Sequence, residues 1–378
     1  MKKAIAVFAA FLVVSAAFVA CGAENSDDPA NSEPVLQIEV SAFPERKFGG
    51  VIFGLSPAEF IALGFEPGDT VNIVFDNGVK FENLPFLTGY YVKRGSNLLV
   101  AYQGYTNIQL HQNNGEDLWK SSGLTDGAKA AISMAQKGGA LSIENSFKLS
   151  YTNRREDYES DEVFANFREV TAGDIKPGRL YRSASPCDNS HGRAAYADAL
   201  ASRSNVEYIL DLADNDTEIK GYFSAPGFNS PKFRELYEKG RVFPAGLSSN
   251  YGSESYMKKL GKGFAAYLAS DGALLIHCTE GKDRTGFVLA LLEALCGADY
   301  DEMKNDYMLT YRNYYGVSRE KNPEQYELIA SVYFGDFIEC LTSNSDSADL
   351  KTCSEGYLIS CGLDNDQITR LRERLTRD

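Results

Sequence analysis

The chain is short of histidine, tryptophan and positive charge. Its 378 residues contain three His (His111, His191 and His277), one Trp (Trp119), and 38 Lys plus Arg against 52 Asp plus Glu. The spacing of three histidines and seven cysteines matches no zinc pattern, so we expect no metal and no organic cofactor. A formal net charge of −14 argues against nucleic-acid binding and against adhesion to anionic lipid through a general field. Any bound anion must therefore be held by a local site. Long apolar runs are scarce as well. The run over 4–20 follows Lys2 and Lys3 and ends in small residues at Cys21. It is shorter than a membrane span should be and has the form of an export signal. What remains is ordinary for a globular chain: 44% apolar and 24% charged residues, with the length of about two domains.

Four regions follow from the pattern. Residues 1–20 read as the signal. Residues 21–34 are rich in Ser, Asn, Asp and Glu with two prolines, and predict a flexible tether. Residues 35–153 have mostly period-two patterning and predict a small β-rich domain. There Val71, Ile73 and Phe75 alternate with polar residues, Asp76-Asn77-Gly78 makes a tight turn, and Val79 and Phe81 resume the alternation. Further strand-like runs cover 35–40, 89–93, 97–102, 107–112 and 140–151. Ser56-Pro57-Ala58-Glu59 predicts a short helix that Gly64 stops. The cluster Phe86, Tyr90, Tyr91, Tyr102 and Tyr105 reads as the packing of this β core, and His111 as a surface residue.

From 154 to 378 the grammar changes. Helical patterns over 193–202, 232–239 and 254–269 alternate with apolar runs over 206–212, 241–244 and 273–277. This predicts an α/β domain with a mainly parallel sheet flanked by helices, closed by an amphipathic helix over 366–374. Cys340, Cys353 and Cys361 lie close together. An exported chain permits one bridge among them, and sequence does not set the pairing.

The chemistry concentrates in His277-Cys278-Thr279-Glu280-Gly281-Lys282-Asp283-Arg284-Thr285-Gly286. Ala273-Leu274-Leu275-Ile276 before it suits a buried strand, and Phe287 to Leu295 after it suits a helix apolar nearly all round. A tight loop between such elements can turn its N–H groups inward as an anion nest, helped by the positive end of the helix. A Cys at the start of that loop sits in positive potential, which favours the thiolate. Arg284 can return to the same centre with a planar fork that suits an oxyanion. Lys282 adds charge at the rim, either to raise the potential or to read further phosphates. Thr285 can donate its hydroxyl to the thiolate. Glu280 reads as solvated at the rim, and His277 as a buried group that orients the surroundings of Cys278.

Cys-x5-Arg followed by Thr-Gly is similar to the signature loop of cysteine-dependent phosphatases. The fuller string resembles bacterial tyrosine and dual-specificity phosphatases, a family that includes secreted and lipid-anchored members. Gly178-Arg179-Leu180-Tyr181-Arg182-Ser183, Ile209-Leu210-Asp211-Leu212 and Asp306-Tyr307-Met308-Leu309-Thr310 resemble further motifs of that family. The resemblance implies a cysteine-phosphatase-like fold and a cysteinyl-phosphate mechanism with Cys278 as nucleophile. It implies Arg284 as oxyanion holder, and Thr279, Glu280, Gly281, Lys282, Thr285 and Gly286 as the substrate cradle. It makes Asp283 the general acid, with Asp214 as the alternative; Asp283 could instead be a structural acceptor. The expected partner is a phosphorylated protein or small phosphate ester, with inositol phosphates or phosphoinositides as a variant. A phospho-ligand-binding module without turnover is the competing reading. Phe18-Val19-Ala20-Cys21 resembles a bacterial lipobox, which implies lipidation of Cys21 and membrane attachment outside the cytoplasm; an ordinary cleaved signal with Cys21 unmodified is the other reading.

Overall fold

The computed structural model describes residues 36–47, 49–343 and 347–377. The expected signal, Cys21 and the tether lie outside the described residues. The chain divides into two units after Lys148.

In the first unit, seven strands close into a barrel. They are β1 (Gln37–Glu45), β2 (Gly50–Phe53), β3 (Thr70–Phe75), β4 (Lys80–Leu87), β5 (Asn97–Val100), β6 (Gln109–Gln112) and β7 (Lys129–Gln136). Their order is β1-β2-β6-β5-β4-β3-β7, and β7 pairs back onto β1. The alternation in β3 has the expected cause: Val71, Ile73 and Phe75 are buried with Phe53, Phe60 and Phe86. The turn into β4 closes where the Phe75 N–H donates to the Val79 carbonyl over 2.9 Å, with Gly78 at φ +87°. Helix Pro57–Ala62 carries the expected capping box between Ser56 and Glu59.

Closure of the barrel overrides several local signals. The segment expected as a strand over 140–151 contains a helix, Leu141–Ser146, because the buried Glu144 carboxylate reaches the N–H and hydroxyl of Thr88 at 3.0 and 2.7 Å. No strand forms over 89–93. Strands β2 and β7 escaped the sequence reading; β7 carries Ala131 and Ala135 on its outer face, which blurs the alternation. His111 is buried and not a surface residue. Its ring lies against Tyr90 and Tyr105, and its Nε2 is 2.7 Å from Gln109 Oε1. Burial holds its pKa below the usual value. Of the aromatic cluster, Phe86 joins the main core, Tyr90, Tyr91 and Tyr105 pack on a smaller one, and Tyr102 is exposed.

The second unit is built on five strands: β8 (Arg168–Glu169), β9 (Leu180–Ser183), β10 (Val206–Asp211), β11 (Val242–Pro244) and β12 (Ala273–His277). The order is β11-β10-β12-β9-β8, with β8 antiparallel at the edge and the other neighbours parallel. Asp211 lies opposite Pro244 and His277, and His277 opposite Ser183. Four C-terminal strand ends are therefore level, and the loops that leave them share one edge, where open α/β sheets place their ligands. Helix Asp283–Leu295 follows β12 and is buried from Thr285 to Leu295. Gly297, at φ +84°, lies just past its end. The last helix, Asn365–Thr376, buries Ile368, Leu371 and Leu375, and Arg374 donates to the carbonyls of Tyr267 and Leu268 at 3.3 and 3.1 Å. No disulfide joins Cys340, Cys353 and Cys361. No helix among the described residues is long and apolar enough to cross a membrane.

Candidate active site

Cys278 is buried at the point where β12 gives way to the loop. Three successive loop carbonyls are drawn outward. Thr279 accepts the Ser185 N–H at 3.1 Å, Glu280 accepts the Tyr314 hydroxyl at 2.7 Å, and Gly281 accepts Arg182 at 2.8 Å and the Asn166 amide at 3.1 Å. In a planar trans peptide the next N–H points opposite to the carbonyl. The N–H groups of Glu280, Gly281 and Lys282 therefore face inward, and none donates to a described residue. Gly281 is required in this loop: at φ +66°, a Cβ there would stand 2.2 Å from the Ser183 carbonyl oxygen.

Arg182 is the strut behind this loop. It is wholly buried, binds the Gly281 carbonyl, and pairs with Asp306, which also takes Arg168 at 2.9 Å. Burial alone would raise the Asp306 pKa, but the two guanidinium groups outweigh it and bring it to about 2. A fixed carboxylate thus anchors two cations that hold the loop from outside.

The guanidinium of Arg284 donates to Thr279 Oγ1 at 3.1 Å and to the Leu247 carbonyl at 3.2 Å. Two bonds to opposite walls fix the plane of its fork. Asp283 opens the helix with its side chain 47% exposed and accepts the Tyr307 hydroxyl at 3.1 Å. Asp214, the alternative acid, is buried and accepts the Tyr222 hydroxyl at 3.0 Å. Burial, followed by the charge of Asp211, pushes its pKa up to about 6.

Three expectations for the loop need correction. Lys282 is not a rim residue. Its side chain is 17% exposed and its Nζ lies 3.2 Å from the Tyr315 hydroxyl, over the rings of Tyr311 and Tyr315. Burial would lower its pKa, but Asp283, the two phenols and Glu280 carry it well above the usual value. Glu280 is not simply solvated: its carboxylate accepts the Tyr151 hydroxyl and lies 3.5 Å from Lys282 Nζ. Thr285 makes no bond to the thiol; its hydroxyl is buried and has no partner among the described residues. Gly286 lets the helix approach Tyr307, whose ring a Cβ would meet at 2.6 Å.

The sequence reading missed Asn166, Ser185, Leu247, Tyr151 and Tyr314. They come from five separate segments and carry no local motif. Arg182 and Asp306 did lie in flanking motifs, without any sign that they meet.

A family profile described as the tyrosine phosphatase family matches residues 162–377, more than half of the chain. The chain belongs to the tyrosine phosphatase family. Among curated proteins, the tyrosine phosphatase unit is similar to the triple specificity protein phosphatase PtpB of Mycobacterium tuberculosis. They are 33% identical over 189 residues, 38% of this chain and 65% of that protein. A tyrosine-protein phosphatase of Nostoc commune is 28% identical over 163 residues, 37% of this chain and 53% of that protein. The chain thus spans a little under two thirds and about half of these relatives. Among solved structures, P. aeruginosa TpbA matches at 16% identity and a TM-score of 0.22, over 56% of this chain and 96% of that one. An overlap that loose carries no weight, and the α/β architecture rests on the sheet order given above.

Proposed function

We propose that this member of the tyrosine phosphatase family is a phosphomonoester hydrolase of the tyrosine or dual-specificity kind. It works through a cysteinyl-phosphate on Cys278. The observation that carries the reading is the inward-facing amide row beneath a guanidinium held by Thr279 and Leu247, around a buried thiol. The Cys278 sulfur attacks phosphorus, so that an S–P bond forms as the ester P–O bond breaks. Arg284 and the loop amides hold the three equatorial oxygens. Asp283 gives its proton to the departing oxygen. Water then cleaves the S–P bond, Asp283 takes its proton, and inorganic phosphate leaves with the thiolate restored. Asp283 is favoured over Asp214 because it is exposed where a leaving group would depart, whereas Asp214 is buried against Tyr222.

Release of phosphate from an aryl phosphate tests this directly. Cys278→Ser should lower kcat on the order of 10^3-fold or more; unchanged turnover would sink the mechanism. Asp283→Asn should slow esters with poor leaving groups by about 10^2-fold and spare those with good ones. The same pattern in Asp214→Asn instead would reassign the acid. The broad specificity in the name of the mycobacterial relative supports assaying phosphotyrosine peptides beside inositol phosphates. Lys282, a cation within the loop itself, keeps the second class in the reading. Lys2, Lys3, the apolar run and Cys21 support an exported lipoprotein with a substrate outside the cytoplasm; radiolabelled fatty acid that fails to enter the wild type, or still enters Cys21→Ser, would refute lipidation at that residue.

A further inference from the structure

Level strand ends in the second unit bring a thiol, an imidazole and two carboxylates into one buried cluster. Cys187 lies on the segment after β9, Asp211 ends β10, Asp214 follows in the next loop, and His277 ends β12. Single donor atoms of Cys187, Asp211 and His277 all lie within 4.8 Å of one another. The Cys187 sulfur is 3.9 Å from Asp211 Oδ2 and 3.8 Å from Asp214 Oδ2, and His277 Nε2 is 3.8 Å from the same Asp211 oxygen.

The two carboxylates are disposed alike. Asp211 uses Oδ1 to accept the N–H groups of Ala213 and Asp214, each at 3.0 Å, and Asp214 uses Oδ1 for Tyr222. Each leaves Oδ2 facing the sulfur, and one thiol proton cannot serve both. Both ring nitrogens of His277 are buried without a well-aligned hydrogen-bond partner among the described residues, although the Cys278 backbone acts on the ring. Native proteins rarely leave a fully buried imidazole without well-placed partners, because its polar groups have given up water for nothing in return. Donors around tetrahedral Zn2+, at about 2.3 Å for sulfur and roughly 2.0–2.2 Å for nitrogen and oxygen, stand approximately 3.3–3.6 Å apart. The two sulfur–carboxylate separations and the imidazole–Asp211 separation, 3.8–3.9 Å, are a few tenths of an ångström longer, and Cys187 and His277 lie within 4.8 Å of each other.

We propose that Cys187, Asp211 and His277, joined by Asp214 through rotation of its side chain, form a closed four-donor site for a zinc-class divalent cation. Binding forms the metal–sulfur bond and releases the Cys187 thiol proton. A thiolate and two carboxylates around a dication leave one negative charge, and the Arg284 guanidinium lies near enough to act on Asp211 and His277. Four protein donors leave no open position, so the ion would be structural and clamp the segments that follow β9, β10 and β12. Cys278 lies past the end of β12 and is not among the clustered donors, so the ion does not take up the nucleophile.

Cobalt(II), added to the reduced full-length protein, is the probe. One equivalent should produce tetrahedral d–d bands and a sulfur-to-cobalt charge-transfer band. Cys278→Ser should keep both, and Cys187→Ser should lose the charge-transfer band. Asp214→Asn should weaken binding on the order of 10-fold or more. Zn2+ should raise the melting temperature of the wild type and leave that of Cys187→Ser unmoved. Wild-type protein without these bands, bands that survive Cys187→Ser, or bands lost in Cys278→Ser would each overturn the site. If Cys187→Ser does not fold, unchanged affinity in Asp214→Asn does so. None of these readouts needs turnover, so an inactive enzyme leaves the test intact.

Discussion

Inside the barrel, Val71, Ile73, Phe75 and Ile132 meet other apolar side chains, and its closure leaves no strand edge to protect. At the sheet edge of the phosphatase-family unit, Arg182, Asp211, Asp214 and His277 are just as deeply buried, and all carry or can carry charge. The first kind of interior gains stability in proportion to the area it hides. The second gives some of that up, because each buried charge must be matched by a partner of the right sign and geometry. Charge is tolerated there because it positions one loop. The carbonyls that Arg182, Asn166 and Tyr314 pull outward are what turn the amides inward.

The sharpest way to break this contrast is to remove a strut. Arg182→Met leaves Asp306 with one cation fewer and the Gly281 carbonyl one donor short. We expect a loss of about 3–5 kcal/mol in denaturant unfolding, as for other split buried pairs, together with lost activity. A variant as stable as the wild type would show that the network is dispensable. Arg284→Lys comes next. It keeps the charge and loses the fork, and should lower kcat by about 10^2- to 10^3-fold on an aryl phosphate while the melting temperature barely moves.

Asp198 probes buried charge away from the loop. Burial outweighs the N–H groups of Phe233 and Lys232 and lifts its pKa to about 6. The folded state therefore binds the proton more tightly than the unfolded chain, so stability is greatest below pH 4 on this account and falls as pH rises to 6. Asp198→Asn should remove about 2 kcal/mol or less of that fall, read as the difference between the two unfolding-against-pH curves. Parallel curves would discount the group. The smallest effect belongs to the barrel. Ile73→Val should cost about 1 kcal/mol and leave kcat alone; a changed kcat would make the barrel part of the catalytic apparatus.

Where hydrophobic burial decides structure, the chain is readable residue by residue. Strand β12, helix Asp283–Leu295 and the Asn77-Gly78 hairpin all sit where patterning places them, because their apolar periodicity is local. His111 and the 140–151 segment fail for one reason. Their environment is supplied by residues outside the local pattern, Tyr90 in one case and Thr88 in the other.

The ten residues from His277 to Gly286 determine by themselves that a thiol, a guanidinium and a row of amides share one loop, since chain connectivity keeps them within a few residues. Tertiary structure alone decided that Arg182 and Asn166 draw the carbonyls out, that tyrosines box in Lys282, and that Cys187 joins Asp211 and His277. Those partners are far apart along the chain. Arg182, Asp211 and His277 are brought together because parallel strands of matched register end at one level, a property of the sheet that no stretch of sequence carries.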